Sequence, residues 1–525
     1  MSTNSAADTL RPTRTDTRSL QVEEVSVSDK AIAKAPPIGA AGETIASRRR
    51  WLVLAVVGIA QLMVVLDMTI VNIALPSAQK ALGFSDNQRQ WVVTAYALAF
   101  GSLLLLGGRL TDLLGRKVTF LTGLVGFAGA SALGGAATNF TMLVTARAVQ
   151  GVFAALLAPA ALSLLTTTFT EARDRGKAFG IYGAIAGSGG AVGLLLGGML
   201  TEHLNWRWTL DINLFFAAVA FVAGSVLLKS GTPAARPKLD ILGTALVSGG
   251  LFSIVYGFSN AETHTWSTPS TWTFLAAGAL LLGAFAWWQT RAAHPLLPLR
   301  VLLDRNRGAS FLAMFILSGA MFGLFLFLTY YLQVSLGYSP VTTGLAYLPM
   351  VAVSIVASIQ ATSLLLPRFG PKPLVPTGMG LAAIGMVWLT RVGLSSTYAA
   401  DVLPPLLVFG LGLGLVISTV MNLATHRVQT DDAGVASASV NAMQQIGGSI
   451  GTALLSVFAS TAFTHYMSGK NPAAPLVQAQ AAIHSYHAVF WWSAAFFAAG
   501  MLVSLLLYRR GAPRPSPDDA PAIHM

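Results

Sequence analysis

The sequence predicts an all-α protein that crosses a membrane many times, and three observations carry that prediction. Of the 525 residues, 54% are hydrophobic and 10% are Asp, Glu, Lys or Arg. A soluble domain carries roughly 25% charged residues, so this chain has too little polar surface to face water on every side. Apolar runs of about 20 residues, each long enough to cross about 30 Å of hydrocarbon, recur along the chain. Within those runs there is no residue-by-residue alternation of the kind a membrane-barrel strand needs.

Taken in order, the runs number fourteen and start near residues 51, 90, 118, 140, 178, 210, 241, 271, 309, 341, 374, 401, 436 and 488. Residues 1–47 are rich in Ser, Thr, Ala and Pro, contain no apolar stretch that would serve as a signal peptide, and read as a disordered tail. The spans then divide into a first six-helix half over 48–230, two additional helices with their linkers over 231–300, a second six-helix half over 301–510, and a short tail over 511–525. An internal repeat supports the division. The glycine run Gly187 to Gly198 of span five returns as Gly447, Gly448 and Gly451 of span thirteen, and the basic turn Gly115-Arg116-Lys117 returns as Arg368-Phe369-Gly370-Pro371-Lys372. Both offsets are eight spans, as two six-helix halves separated by two extra helices require, and repeated halves are a usual architecture of alternating-access transporters.

Basic residues set the orientation, because positively charged loops stay in the cytoplasm. With the amino terminus inside, 22 of the 33 Lys and Arg border inner loops, from Arg48, Arg49 and Arg50 to Arg509, Arg510 and Arg514. The outer side has five: Lys80, Arg89, Arg207, Arg391 and Lys470. Both termini are therefore expected in the cytoplasm, and the eleven tryptophans, all near span ends, are expected to form belts at the headgroup level. The net charge of +12 is scattered between apolar spans rather than gathered on one soluble face, which argues against a nucleic-acid partner. The absence of cysteine excludes disulfides and thiolate metal sites.

Two ionisable residues lie deep inside the spans, Asp67 in the first and Arg147 in the fourth. Each costs about 2.5–3.5 kcal/mol at a helix centre on insertion scales, which marks both as functional candidates. Asp67 is eight residues from the outer end of its span and Arg147 seven, or about 12 and 10 Å at 1.5 Å per residue. Their depths match. The sequence leaves open whether Asp67 pairs with Arg147 directly, pairs through water, or stands free as a proton carrier. Gln61, Met63 and Asn72 on the same helix are candidates for lining a substrate cavity.

Between spans two and three, Gly108, Arg109, Asp112, Gly115, Arg116 and Lys117 form a short cytoplasmic turn. Its glycine allows a tight bend, and its charges suit an electrostatic latch on the inner face. In span five, Gly189, Gly193, Gly197 and Gly198 allow close helix approach. With no preceding strand and no following Gly-Lys-Ser/Thr, that run is no phosphate cradle, and no Walker motif occurs elsewhere. His484 and His487 are spaced for one face of a helix but have no third ligand nearby, so no metal site is expected.

At this point the chain resembles the fourteen-span drug:proton antiporters of the major facilitator superfamily over roughly residues 50–508. The stretch Leu66-Asp67-Met68-Thr69-Ile70-Val71-Asn72-Ile73-Ala74-Leu75-Pro76 is similar to that family's first-span signature. Gly108 to Lys117 resembles its motif A, Arg147 with Gln150-Gly151 its motif B, and the span-five glycines its antiporter motif C. Trp206-Arg207-Trp208 followed by Asn213 resembles the family's outer approach to span six. Leu194 stands where motif C usually has proline, and Leu113 where motif A often has arginine.

The resemblance implies proton or substrate coupling at Asp67 and Arg147, inner-gate closure by Asp112 and Arg116 within the Gly108–Lys117 motif, and a conformational switch at the span-five glycines. It implies a multi-pass protein of the inner (plasma) membrane, with protons, a small hydrophobic substrate and the lipid bilayer as partners, no cofactor, no enzymatic activity, and function as a monomer. Because spans nine to fourteen carry no deep acid, neutral or monocationic substrates are expected rather than dications. A metabolite uniporter or importer of the same fold is the alternative, and the antiporter glycines argue against it. A receptor would need a soluble sensing region, and no loop is long enough to form one.

Overall fold

Long apolar segments with few breakers form helices because lipid leaves each backbone polar group to be satisfied within its own segment. The structure, a computed structural model, describes residues 40–169, 171–228, 240–264, 266–293, 295–297, 302–425 and 433–511. Its long helices are α1 Ala40–Leu82, α2 Asp86–Leu114, α3 Arg116–Gly135, α4 Phe140–Thr168, α5 Ala172–His203, α6 Trp208–Leu227 and α7 Ile241–His264. They continue with α8 Pro269–Gln289, α9 Arg305–Tyr330, α10 Pro340–Gln360, α11 Pro371–Leu389, α12 Leu403–Thr425, α13 Ala433–Met467 and α14 Pro475–Leu507. Among the described residues, twelve helices are long and apolar enough to cross a membrane. The other two long helices are α2, of 29 residues, and α5, of 32.

Two helix starts differ from the sequence reading. Helix α1 is already helical at Ala40, ahead of the expected start at residue 48, while residues 1–39 lie outside the described ones. Helix α14 begins at Pro475 rather than near 488. Its first turns bury Ala481, Ile483, Ser485 and Tyr486 and leave Gln478 exposed, so hydropathy dips although the helix continues. His484 and His487 therefore lie within a helix, not in a loop. The His484 ring stacks on Tyr466 at 4.3 Å, and a His487 ring nitrogen is 2.6 Å from the Val392 carbonyl oxygen.

The eight-helix repeat is visible in the packing. Helix α4 packs on α2 and α3, and α12 packs on α10 and α11; α3 meets α6 as α11 meets α14. Gly115 between α2 and α3 has φ +89°, and Gly370 between α10 and α11 has φ +74°, a region that only glycine enters at little cost. Arg49, ten residues into α1, donates to the Leu227 carbonyl that ends α6, at 3.0 and 3.2 Å. Arg305 at the start of α9 donates to Leu506 and Leu507 at the end of α14, at 2.8 and 2.7 Å. Each guanidinium satisfies carbonyls that the helix terminus leaves free.

Helices α7 and α8 form a glycine-tightened hairpin in which Gly257 lies against Leu275 and Gly278 against Ile254. Helix α7 packs against both α2 and α13, and the Ser248 hydroxyl donates to the Ser102 carbonyl at 2.8 Å. The hairpin is clasped by Asp240, whose carboxylate accepts from Gly243 N at 2.8 Å, Trp288 Nε1 at 2.7 Å and Gln289 Nε2 at 2.9 Å. Burial pushes that carboxyl up, but the hydrogen bonds from Gly243, Trp288, Gln289 and Leu296 outweigh it and hold Asp240 below the ordinary carboxylate range.

Candidate functional site

Helix α1 has two faces, and the residues on each follow from helical spacing. Asp67 shares one face with Met63, Ile70 and Ala74, all fully or nearly fully buried. Gln61, Met68 and Asn72 lie on the other and are half-buried. Met63, a candidate cavity residue by sequence, is enclosed in a hydrophobic core together with Phe127 and Leu157. Gln61 accepts from the Tyr182 hydroxyl of α5 at 2.6 Å, and the Asn72 amide bonds back to the Met68 carbonyl at 3.1 Å.

Around Asp67 the structure gathers side chains from four other helices. Arg147 of α4 pairs with its Oδ2 at 2.5 Å, so direct pairing holds among the arrangements the sequence left open. Oδ1 accepts from Gln150 Nε2 at 3.0 Å and from Asn213 Nδ2 of α6 at 2.8 Å. The same two amides also donate to the Ser131 hydroxyl of α3, at 2.5 and 3.2 Å. Arg147 further donates to Gln150 Oε1 at 2.8 Å and through Nε to the Val92 carbonyl of α2 at 3.1 Å, while its guanidinium lies 4.5 Å above the Tyr96 ring. Asp67, Gln150, Ser131 and Asn213 are 0% exposed and Arg147 2%. Two opposite charges are thus taken fully out of solvent, where they are tolerated only when paired and supplied with further hydrogen bonds.

Local sequence explains how α4 reaches this position. Asn139 caps α4 by accepting from Met142 N at 2.9 Å. Arg147 and Gln150 are three apart on one face. Gly151 lets α4 approach α2 so closely that a Cβ there would press on Ala99 and Phe100, and this approach brings Arg147 to Val92. On the α1–α2 side of Arg147, a narrow cleft is lined by Val71, Leu75, Val92, Leu143, Trp206 and Leu210. Trp206 is 5% exposed and its indole N–H has no hydrogen-bond partner, so it departs from the belt position expected of it.

The span-five glycines meet two different helices. A Cβ on Gly189 would overlap Val65, one on Gly193 Thr69, and one on Gly197 Ile70, all in the turns of α1 around Asp67. Gly198 faces the other way, against Pro340 and Val341 at the start of α10, while Leu194, where the family has proline, puts its carbonyl against Gly344 of α10. Helix α5 is thereby wedged between α1 and α10. The repeat places Gly447 against the Phe315 backbone and Gly451 against Gly319, both on α9.

At the turn between α2 and α3, Arg109 donates to the Pro295 carbonyl of the α8–α9 linker at 2.9 Å and Lys117 to the Ser225 carbonyl of α6 at 2.7 Å. Arg116 is exposed, Gly108 lies near Pro159 of α4, and the Asp112 side chain lies outside those described. Sequence reasoning singled out Asp67 and Arg147 by their charge, and met Gln150 and Asn213 only through motif resemblance. It missed Ser131 and Tyr96, whose residue types are common in apolar spans.

Comparison with known proteins agrees with this architecture. Residues 57–452 match the Major Facilitator Superfamily. The chain is 48% identical over 459 residues to the puromycin resistance protein pur8 of Streptomyces alboniger, covering 87% of this chain and 90% of that one. It is 38% identical over 399 residues to the cephamycin export protein CmcT of Amycolatopsis lactamdurans, covering 75% and 82%. Among solved structures, an auto-inhibited POT family peptide transporter superposes with a TM-score of 0.63 at 16% identity, over 89% of this chain and 99% of that one, which is a likeness of fold. The chain belongs to the Major Facilitator Superfamily.

Proposed function

We propose that the protein is a proton-coupled exporter of hydrophobic drugs or antibiotics, neutral or singly charged, that works as a monomer by alternating access. In this reading fourteen helices span the plasma membrane, both termini are cytoplasmic, and the α2–α3 turn faces the cytoplasm. Relatives named for puromycin resistance and cephamycin export support the export of antibiotics. The observation that carries proton coupling is the dry Asp67–Arg147 pair on the face of α1 opposite Gln61, Met68 and Asn72. A proton arriving on Asp67 Oδ2 converts an acceptor into a donor and dissolves the ion pair. Arg147 keeps the Val92 carbonyl and the Tyr96 ring, so the guanidinium stays in place while α1 loses its strongest tie to α4. Helix α5 grips α1 through its glycines at Val65, Thr69 and Ile70, in the turns around Asp67, and α5 in turn touches α10. Proton occupancy in the first half thus biases the contact between halves, which is what coupling requires.

Uptake of puromycin, an amine with at most one positive charge, into inside-out vesicles under an acid-inside gradient tests this. Accumulation that stops when the gradient is collapsed is the expected result. Uptake indifferent to the gradient would make the protein a uniporter.

A further inference from the structure

The bundle end that carries the α1–α2 turn is held shut between the two halves by several contacts. Arg89 of α2 lies over the Phe327 and Tyr330 rings of α9 at 4.9 and 4.2 Å. The Tyr330 hydroxyl donates to Gln79 at 2.5 Å, Gln333 donates to the Ile73 carbonyl at 3.0 Å, and Val341 N donates to Glu202 at 3.0 Å. Beside this seal, α2 and α13 pack along one another.

The faces they present there are polar. Gln445, Ser449, Thr452 and Ser456 step along α13 at i, i+4, i+7 and i+11, which is one helical stripe. Gln90, Thr94 and Gly101 follow the same spacing along α2, and Gly101 lies directly against Gln445. In the alternating topology proposed above, an even and an odd helix run antiparallel, so eleven residues along each from that crossing, about 16 Å, bring Thr94 level with Thr452 and Gln90 level with Ser456. Gln90 and Thr94 are 0% exposed, Ser449 and Thr452 1%, and Ser456 4%. Both amide atoms of Gln90, the hydroxyls of Thr94, Ser449, Thr452 and Ser456, and Gln445 Oε1 have no hydrogen-bond partner.

A buried polar atom without a partner carries its full desolvation cost, and native cores hold few of them. Seven such atoms in one seam between two halves mark a contact that is costly when shut. Separation of the halves at this end admits water, which satisfies every one of them, so the cost falls on the closed state alone. We propose that Gln90, Thr94, Thr452 and Ser456 are positioning residues of the transport cycle whose unpaired polar groups favour opening of the outer face, in opposition to the Arg89, Tyr330 and Glu202 contacts that hold it closed. The assignment of this end to the outside rests on the topology in the proposed function.

The chain has no cysteine, so single reporters can be introduced without background. Val93→Cys, half-buried on α2 at the margin of the core that joins this end of the bundle, reports opening, and Ser85→Cys, exposed in the α1–α2 turn, reports topology. Both are labelled in intact cells with a membrane-impermeant thiol reagent. Replacing Thr94 and Thr452 with valine, which keeps their shape and removes the hydroxyls, is expected to slow labelling of Val93→Cys by about tenfold and to lower the maximal transport rate. Restoring Thr94→Ser and Thr452→Ser, which return a hydroxyl, should return the rate toward the parent value. A merely structural role would loosen the seam in the valine variant and speed labelling. Unchanged or faster labelling overturns the proposal. Labelling of Ser85→Cys only from the cytoplasmic side would overturn the topology, and the proposal with it, whether or not export is proton-coupled.

Discussion

Neutralising one partner of the Asp67–Arg147 pair should cost more than neutralising both. In Asp67→Asn the guanidinium keeps its place at 2% exposure, with the Val92 carbonyl, Gln150 Oε1 and the Tyr96 face still around it but no anion. Leaving a buried charge uncompensated costs about 3–5 kcal/mol. Arg147→Met leaves Asp67 with the Gln150 and Asn213 amides, so its cost falls at the lower end of that range. In the double variant no buried charge remains and methionine fills much of the arginine volume, so the loss should be no larger than that of the milder single variant. The cycle should therefore show a coupling at least as large as the Asp67→Asn loss, about 3–5 kcal/mol. Unfolding of the detergent-solubilised protein, followed by tryptophan fluorescence across the parent and the three variants, measures it. Losses that add to within about 0.5 kcal/mol would show that the two side chains do not interact, and would refute the pairing.

Three further outcomes follow from other parts of the fold. Gly198→Ala should press on the Pro340 and Val341 backbone and destabilise the closed contact between α5 and α10 by about 1–3 kcal/mol, whereas Gly190→Ala, with nothing within 4 Å, should leave transport and stability unchanged. Gly115→Ala, at φ +89°, should cost about 1–3 kcal/mol in thermal unfolding, and a value near zero would mean that the turn relaxes away from this conformation. Because Asp240 is held below its ordinary range, it contributes stability above its unfolded value near 4, and that contribution is lost as pH falls through the folded value. Asp240→Asn should accordingly be less stable than the parent at pH 6, with the difference shrinking as pH falls below about 4; a constant difference on acidification would remove Asp240 from the clasp.

Much of the fold was legible because lipid imposes a strict grammar: an apolar run of sufficient length must be a helix, and basic residues and glycines punctuate the runs. The repeat could be read from Gly115 and Gly370 because a positive φ leaves few alternatives to glycine. The early start of α14 was hidden because Gln478, Gln480 and the two histidines lower the hydropathy of a segment that is nonetheless helical. At the site, a charge in a span announces itself by its cost, so Asp67 and Arg147 stood out. Ser131 did not, since an isolated serine in an apolar helix ordinarily satisfies itself on its own backbone. Nor does sequence tell which face of α1 turns toward α4; only the packed helices place Met63 in the core and Met68 beside Gln445, at 3.7 Å.

The central claim is that Asp67 carries the coupled proton, and the most direct test is dissipation of a pH gradient in energised inside-out vesicles on adding substrate, comparing the parent with Asp67→Asn. Substrate counterflow without a gradient serves as the control for a folded, cycling protein. The account predicts that the parent dissipates the gradient while Asp67→Asn retains counterflow but leaves the gradient intact. Equal dissipation by both would contradict it and move the proton to another group.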